Sequence, residues 1–249
     1  MTDDPHRFDG RTALVTGAAR GIGARVAGLL ADCGCAVACA DAADPAGWDL
    51  PTGPGHTAHR ADVTRTADCE RLIDEVRAAH GRLDHLVHCA AIVRRGPAAT
   101  TEDADFTEVL DVNLTGTFRV TRAAYPALVA APDASVVTLG STNGSVAVAD
   151  SVGYCVSKAG VMHLSRVLAL EWASAGIRVN SVAPTIVPTS MTSDVRADPA
   201  YMAAKLASIP LGRPVSETEV AQAVTFLLSP ASAMTTGQVL FVDGGATIH

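Results

Sequence analysis

Short runs of apolar and β-branched residues alternate along this chain with longer stretches in which apolar positions return at helical period. A run that is apolar at every position must be covered on both sides, so the alternation predicts a parallel sheet sandwiched between two layers of helices. Strands are expected at Thr12 to Thr16, Ala36 to Ala40, His56 to Asp62, Leu83 to His88, Ser135 to Ser141, Arg178 to Ala183 and Gln238 to Val242. Helices are expected at Gly21 to Asp32, Arg65 to His80, Thr101 to Ala130, Ser151 to Ala175 and Ser216 to Leu228. Seven strands fit one open sheet, and 249 residues suit one α/β domain spanning 1–249.

Two segments break the pattern. Between Asp41 and His56 the chain is rich in Pro, Gly and Asp where a crossover helix would ordinarily run, which predicts a short loop. From Pro184 to Pro210 it carries Pro, Thr, Ser and Met, longer than an ordinary connection, and predicts a substrate lid over about 185–212.

The formal charge of −7, without any cluster of Lys or Arg, gives no footprint for nucleic acid or an anionic membrane surface. Every apolar run is interrupted by Asp, Arg or Gly before it could span a membrane. Met1 to Gly10 is polar and acidic and reads as neither signal nor transit peptide, so the expected location is the cytoplasm. The cysteines Cys33, Cys35, Cys39, Cys69, Cys89 and Cys155 lack paired spacing and read as reduced thiols.

Thr16-Gly17-Ala18-Ala19-Arg20-Gly21-Ile22-Gly23 follows the first strand and opens a helix, where a dinucleotide pyrophosphate can rest on backbone N–H groups and the helix dipole. Gly17 would permit the tight turn, Gly21 the approach of phosphate, and Gly23 close packing of helix on strand. The alternative is a glycine-rich turn without a ligand. Asp41, ending the second strand, is placed to accept hydrogen bonds from the adenosine ribose and to repel a 2′-phosphate, which favours NAD over NADP. A solvated loop aspartate is the alternative, and Arg20 leaves room for some use of NADP. Asp62 and Val63, after the third strand, are placed to bracket the adenine, with a common Asp-Val dipeptide of no such role as the equal alternative.

Tyr154 and Lys158 lie four apart on one helix face, and Ser141 ends the strand before that helix. Moving a hydride to or from a carbinol carbon requires a group that exchanges a proton with the oxygen. A free tyrosine is too weak a base at neutral pH, so the Lys158 ammonium and the positive nicotinamide of the oxidised cofactor are together expected to favour the phenolate, the lysine also holding the nicotinamide ribose. Ser141 would donate a hydrogen bond to the substrate oxygen. A solvated Tyr-x-x-x-Lys face would be the ordinary reading of the pair alone, but here it follows a glycine-rich turn and an acidic strand end.

The TGAARGIG turn, Ser141 followed by Tyr154, the YCVSK pentapeptide, Asn113 in LDVNLTG and VDGG near the end together resemble the short-chain dehydrogenase/reductase family over nearly the whole chain. The resemblance implies a Rossmann sheet of order 3-2-1-4-5-6-7, NAD(P) as cofactor and a homotetramer packed through the long helices and the last strand. It implies Ser141, Tyr154 and Lys158 as catalytic residues, with Asn113 holding a water that joins the lysine to a proton relay. Where relatives often carry Asn-Asn-Ala-Gly after the fourth strand, this chain has His88, Cys89, Ala90 and Ala91, and Ala91 brings a methyl toward the cofactor. Where Pro-Gly is usual after the sixth strand, Pro184 and Thr185 appear, followed by Val187 and Thr189 at positions that bond the nicotinamide carboxamide.

His56, His59, His85 and His88 carry no metal-ligand spacing, and no metal is expected. Cys89 and Cys155 read as apolar filler rather than as nucleophiles. The short crossover after Asp41 and the IPLGR stretch look similar to dehydrogenases of 2,3-dihydro-2,3-dihydroxybenzoate, with Arg94, Arg95 and Arg213 as candidate cations for a substrate carboxylate or, equally, solvated surface arginines. A general secondary-alcohol, sugar or steroid dehydrogenase, a 3-oxoacyl carrier-protein reductase and a non-catalytic NAD-binding sensor are the other readings.

Overall fold

The computed structural model describes residues 6–248 apart from 49, 52 and 54. In chain order its elements are β1 (Thr12–Thr16), α1 (Gly21–Asp32), β2 (Ala36–Asp41), β3 (Thr57–Arg60), α2 (Thr66–His80), β4 (His85–His88), α3 (Asp103–Leu110), α4 (Gly116–Val129), β5 (Ser135–Leu139), α5 (Val152–Trp172), β6 (Arg178–Pro184), α6 (Ser193–Arg196), α7 (Pro199–Ala207), α8 (Glu217–Leu228) and β7 (Val239–Val242). The strands form one parallel sheet in the order β3-β2-β1-β4-β5-β6-β7.

Every residue of β1, β4 and β5 is buried, as the continuous apolar runs require. Successive residues point to opposite layers. Val15 and Val137 join the core under α1 and α8, while their neighbours Leu14 and Val136 join the core under α2, α4 and α5. At the N-terminal edge Asp84 is fully buried and accepts hydrogen bonds from the Thr12 amide and the Arg11 and Arg82 guanidinium groups, pinning β1 to β4 at the end away from the site. The strand order reverses between β1 and β4, so their outgoing connections part and a crevice opens at the carboxyl ends of the central strands.

Two expectations are corrected. The helix expected over Thr101 to Ala130 is two helices, α3 and α4, joined by a π-helical turn at Asp111–Thr115. The wider turn places Asn113, which is buried, where its side chain reaches the backbone of Ile92. The third strand is shorter than His56 to Asp62, because the Asp62 amide turns to Asp68 and Thr64 folds back onto the Asp62 carboxylate. The stretch expected as a lid carries α6 and α7.

The described part of 41–56 beyond β2 contains no helix, and its Trp48 and Leu50 pack against the α1 core. Positions 49, 52 and 54 of that expected loop lie outside the described residues.

Candidate active site

The crevice is a cavity of about 600 Å³ lined by the glycine-rich turn, the ends of β2 and β3, the segment after β4 and the residues 189–194 that lead into α6. Gly17, Arg20, Gly21, Ile22, Gly23, Asp41, Asp62, Val63, Cys89, Ala90, Ala91 and Thr189 all face it. Pro184 and Val187 do not appear on its wall. Pro184 ends β6 beside Val242, and Val187 is buried in the α1 and α8 core.

Each glycine of the turn has a definite job. Gly17 has φ +67°, and a Cβ there would stand 2.5 Å from the amide nitrogen of Ala90. Gly23 cannot carry a Cβ because it would strike the carbonyl oxygen of Gly17, so this glycine closes the turn on itself rather than only seating helix on strand. Gly21, at φ +61°, looks into open cavity, its nearest neighbour being the Thr189 methyl at 3.6 Å. The first turn of α1 has no side-chain cap and no acidic residue, so its unpaired N–H groups are left for an anion. That combination fits a dinucleotide pyrophosphate.

The Asp41 carboxylate accepts hydrogen bonds from the Ala19 amide at 3.2 Å and the Ala43 amide at 3.1 Å. It therefore fixes a negative group at the end of β2 against the glycine-rich turn. Val63 packs under Gly116, where a Cβ would come within 2.7 Å of its methyl, so the start of α4 lies directly against this residue of the cavity wall. Burial pushes the Cys89 thiol up to about 12, opposed by the Lys158 charge. Such a thiol is not a thiolate at neutral pH.

Ser141 follows β5 and caps the short 3-10 turn Thr142–Gly144, its Oγ accepting from the Asn143 amide at 3.1 Å. The hydroxyl proton stays available, and Ser141 lies near enough to the Tyr154 phenol to oppose the rise in its pKa. The Lys158 ammonium lies 5.7 Å from the centre of the Tyr154 ring and donates to the Leu139 carbonyl at 2.6 Å. Burial draws Lys158 down to about 8. Burial also raises Tyr154, with Ser141 and then Arg95 pulling it back. The ammonium is turned to Leu139 and is not among the groups that draw the phenol down.

Asn113 gives its amide to the Ile92 carbonyl at 2.9 Å and the Ser157 hydroxyl at 3.0 Å, and accepts from the Ile92 amide at 2.8 Å. Its side chain thus clamps the segment after β4 to α5, and its own carbonyl accepts from Thr117. The bridge from Gly96 to Ser151 ties the same segment to the start of α5. His88 is buried with its Nε2 on the Thr121 hydroxyl at 2.7 Å, and burial holds it neutral with a pKa of about 3.

The three arginines considered for a carboxylate separate. Arg213 is locked on Glu219 and lies off the cavity wall, and Arg94 pairs with Glu108 at 2.9 Å. Arg95 faces the cavity and reaches across it to Asp194 at 2.7 Å. Sequence reasoning missed Asp194, Ile92 and Ser157, since nothing local marks a residue whose partner lies tens of positions away. The histidines singled out for a metal go to separate partners: His56 to the Val37 amide, His59 to Glu75, His85 to Ser135 and His88 to Thr121. Among the described residues no group of three or more His, Cys, Asp or Glu converges, and no helix is long and apolar enough to cross a membrane.

A family profile described as enoyl-(acyl carrier protein) reductase matches residues 17–247. The chain is 39% identical over 251 residues to a D-threitol dehydrogenase of Mycolicibacterium smegmatis, covering 99% of this chain and 96% of that protein. It is 39% identical over 246 residues to a cis-4-hydroxycyclohexanecarboxylate dehydrogenase of Sinomonas cyclohexanicum, covering 96% and 98%. Among solved structures it is similar to a gluconate 5-dehydrogenase of Burkholderia cenocepacia in complex with NADP and tartrate, with a TM-score of 0.93, 31% identity and coverage of 99% and 98%.

Proposed function

The chain belongs to the short-chain dehydrogenase/reductase family, and from that premise we propose that it oxidises a secondary alcohol, cyclic or polyol, to the ketone with NAD. It is an oxidoreductase of CH–OH groups. The observation that carries the reading is the cavity over the uncapped helix start at Gly21, in a chain where Ser141 neighbours the Tyr154 phenol and the Lys158 ammonium lies 5.7 Å from its ring.

The dinucleotide, when bound, supplies the acceptor or donor of the hydride. Gly17, Gly21, Gly23, Arg20 and Ile22 shape its pyrophosphate seat, Asp41 takes the adenosine ribose, and Asp62 and Val63 flank the adenine. Cys89, Ala90 and Ala91 form the wall between the two halves. Thr189, with Pro184 and Val187 behind it, serves the carboxamide end, and residues 185–212 act as the substrate lid. NAD is favoured because the Asp41 carboxylate, fixed by two backbone amides, stands where a 2′-phosphate would be repelled.

Tyr154 exchanges the proton of the alcohol oxygen, and Ser141 donates a hydrogen bond to that oxygen as charge develops. Because burial keeps the phenol protonated, it is ready to act as an acid in ketone reduction at neutral pH, whereas alcohol oxidation is favoured at alkaline pH. Lys158 spends one donor on Leu139 and keeps two for the nicotinamide ribose and the outgoing proton. Asn113 acts as the anchor of the proton path at the segment after β4.

A cyclic or polyol alcohol agrees with what the threitol and hydroxycyclohexanecarboxylate relatives are named for. A 2,3-dihydro-2,3-dihydroxybenzoate is the diol form of the same class. The carrier-protein reductase reading counts for less because Asp41 disfavours NADP, and an NAD-binding sensor has no need of Ser141, Tyr154 and Lys158 together. Exposed Phe118 and Val129 on α4 and Val156 and Leu170 on α5 support a homotetramer.

The test is NADH formation at alkaline pH with NAD and a panel of cyclic alcohols, polyols and the dihydrodiol carboxylate, alongside Tyr154→Phe. Turnover that disappears in the variant while NADH binding persists is expected. A variant that matches the wild type would overturn the assignment.

A further inference from the structure

Arg95 sits in the segment after β4, seven positions beyond the end of that strand, and crosses the cavity mouth to the lid. Its guanidinium bonds the Asp194 carboxylate at 2.7 Å and faces the Met191 carbonyl at 3.5 Å. The next residue, Gly96, is bridged to Ser151 at the foot of α5, the helix that carries Tyr154. Arg95 is thereby held beside the helix bearing the reacting phenol, and its charge is felt at Tyr154.

The other cations of the cavity wall are committed or distant. Arg94 pairs with Glu108 and approaches Asp105, and Arg20 belongs to the pyrophosphate turn. Arg95 alone among them is bound to a carboxylate that comes from the lid, and that carboxylate is 57% exposed in its side chain. An exposed ion pair of this kind contributes little to stability. It is a single charge-assisted N–H···O contact, an interaction that another carboxylate can make in place of Asp194.

We propose that Arg95 is the specificity-determining residue for a carboxylate-bearing alcohol, and that Asp194 occupies its guanidinium as an internal stand-in that the substrate carboxylate displaces. The inference rests on the dehydrogenase reading above and names the substrate class within it. When the substrate carboxylate takes the guanidinium, the lid loses its tie at Asp194, so selection and lid position are coupled. Asp194 also sets a threshold, since a neutral alcohol gains nothing by breaking the pair.

The experiment compares wild type, Arg95→Gln and Asp194→Asn by the ratio of kcat/KM for cis-4-hydroxycyclohexanecarboxylate to that for 4-methylcyclohexanol. The ratio should fall about tenfold or more in Arg95→Gln, the size of a lost charge-assisted hydrogen bond, and should rise several-fold in Asp194→Asn. A ratio that stays within about twofold of wild type in Arg95→Gln, in protein that still binds NADH, would overturn the proposal. The binding arm is independent of turnover: the thermal shift given by cyclohexanecarboxylate in the presence of NADH should be lost in Arg95→Gln and enlarged in Asp194→Asn. If neither alcohol is oxidised but that pattern of shifts appears, the dehydrogenase assignment fails while the carboxylate site stands. Equal shifts in all three proteins sink the carboxylate site.

Discussion

The ammonium of Lys158 donates to the carbonyl of Leu139 at 2.6 Å, so its charge is anchored to the last residue of β5. The lysine is 4% exposed, and burial draws its pKa from an ordinary 10.5 to about 8. Between those values the unfolded chain binds more protons than the folded one, so stability from this group rises with pH across that window. The cost of the buried charge is fully present below pH 8 and is relieved above it. Urea unfolding of wild type should therefore gain about 1 kcal/mol relative to Lys158→Met between pH 8 and 9. Parallel pH profiles for the two proteins would show that the ammonium is not desolvated.

His85 and His88 act in the same sense at acid pH. Burial lowers both to about 3, against an ordinary 6.5, so each stays neutral in the fold while the unfolded chain takes up a proton as pH falls. Stability from each is complete above about 6.5 and is lost as the solution is acidified toward 3. Replacing His88 by Gln should flatten the loss between pH 6 and 5 by about 1 kcal/mol, measured by urea midpoints. An unchanged acid slope would mean that His88 is charged in the folded protein.

The turn over the cavity makes a paired prediction about two glycines. Gly17 is left-handed and has no room for a methyl beside Ala90, so Gly17→Ala should cost roughly 2 kcal/mol or more and abolish NADH binding. Gly28 lies inside α1 with nothing within 4 Å of an added Cβ, so Gly28→Ala should stabilise by about 0.5–1 kcal/mol. Thermal melts and NADH fluorescence titrations of both variants check it. A Gly17→Ala protein with native stability and affinity would mean the turn is looser than its geometry states.

How far the sequence reaches is visible in these residues. Periodicity locates β1, α1, α5 and α8 because each is a single apolar pattern closed by local signals, such as the capping box of Ser216 and Glu219 at α8. The glycine-rich turn, Asp41 and the Ser141, Tyr154 and Lys158 set are legible because spacing fixes them on strand ends and one helix face. The break at Asp111–Thr115 is not legible, since it is decided by Asn113 reaching Ile92, twenty-one positions away. The lid pairing of Arg95 with Asp194, ninety-nine positions apart, is invisible for the same reason. The direction of the Tyr154 shift also escapes the sequence. It depends on how deeply the phenol is buried and on Lys158 turning to Leu139, both properties of packing rather than of order along the chain.

Asp41 carries the cofactor prediction. Its carboxylate is held by the Ala19 and Ala43 amides, so it cannot swing away from a 2′-phosphate without breaking both bonds. Asp41→Ser removes the charge and keeps an acceptor for those amides, and the ratio of kcat/KM for NAD over NADP should fall by roughly tenfold or more. Arg20, exposed beside the same turn on the cavity wall, is the cation that would then meet the phosphate. Adding Arg20→Gln to Asp41→Ser should therefore take back most of the gain with NADP while leaving a smaller effect with NAD. A single variant whose ratio does not move would show that the carboxylate at the end of β2 does not select the cofactor. A double variant that keeps its NADP activity would show that the phosphate is met by the turn's amides rather than by Arg20.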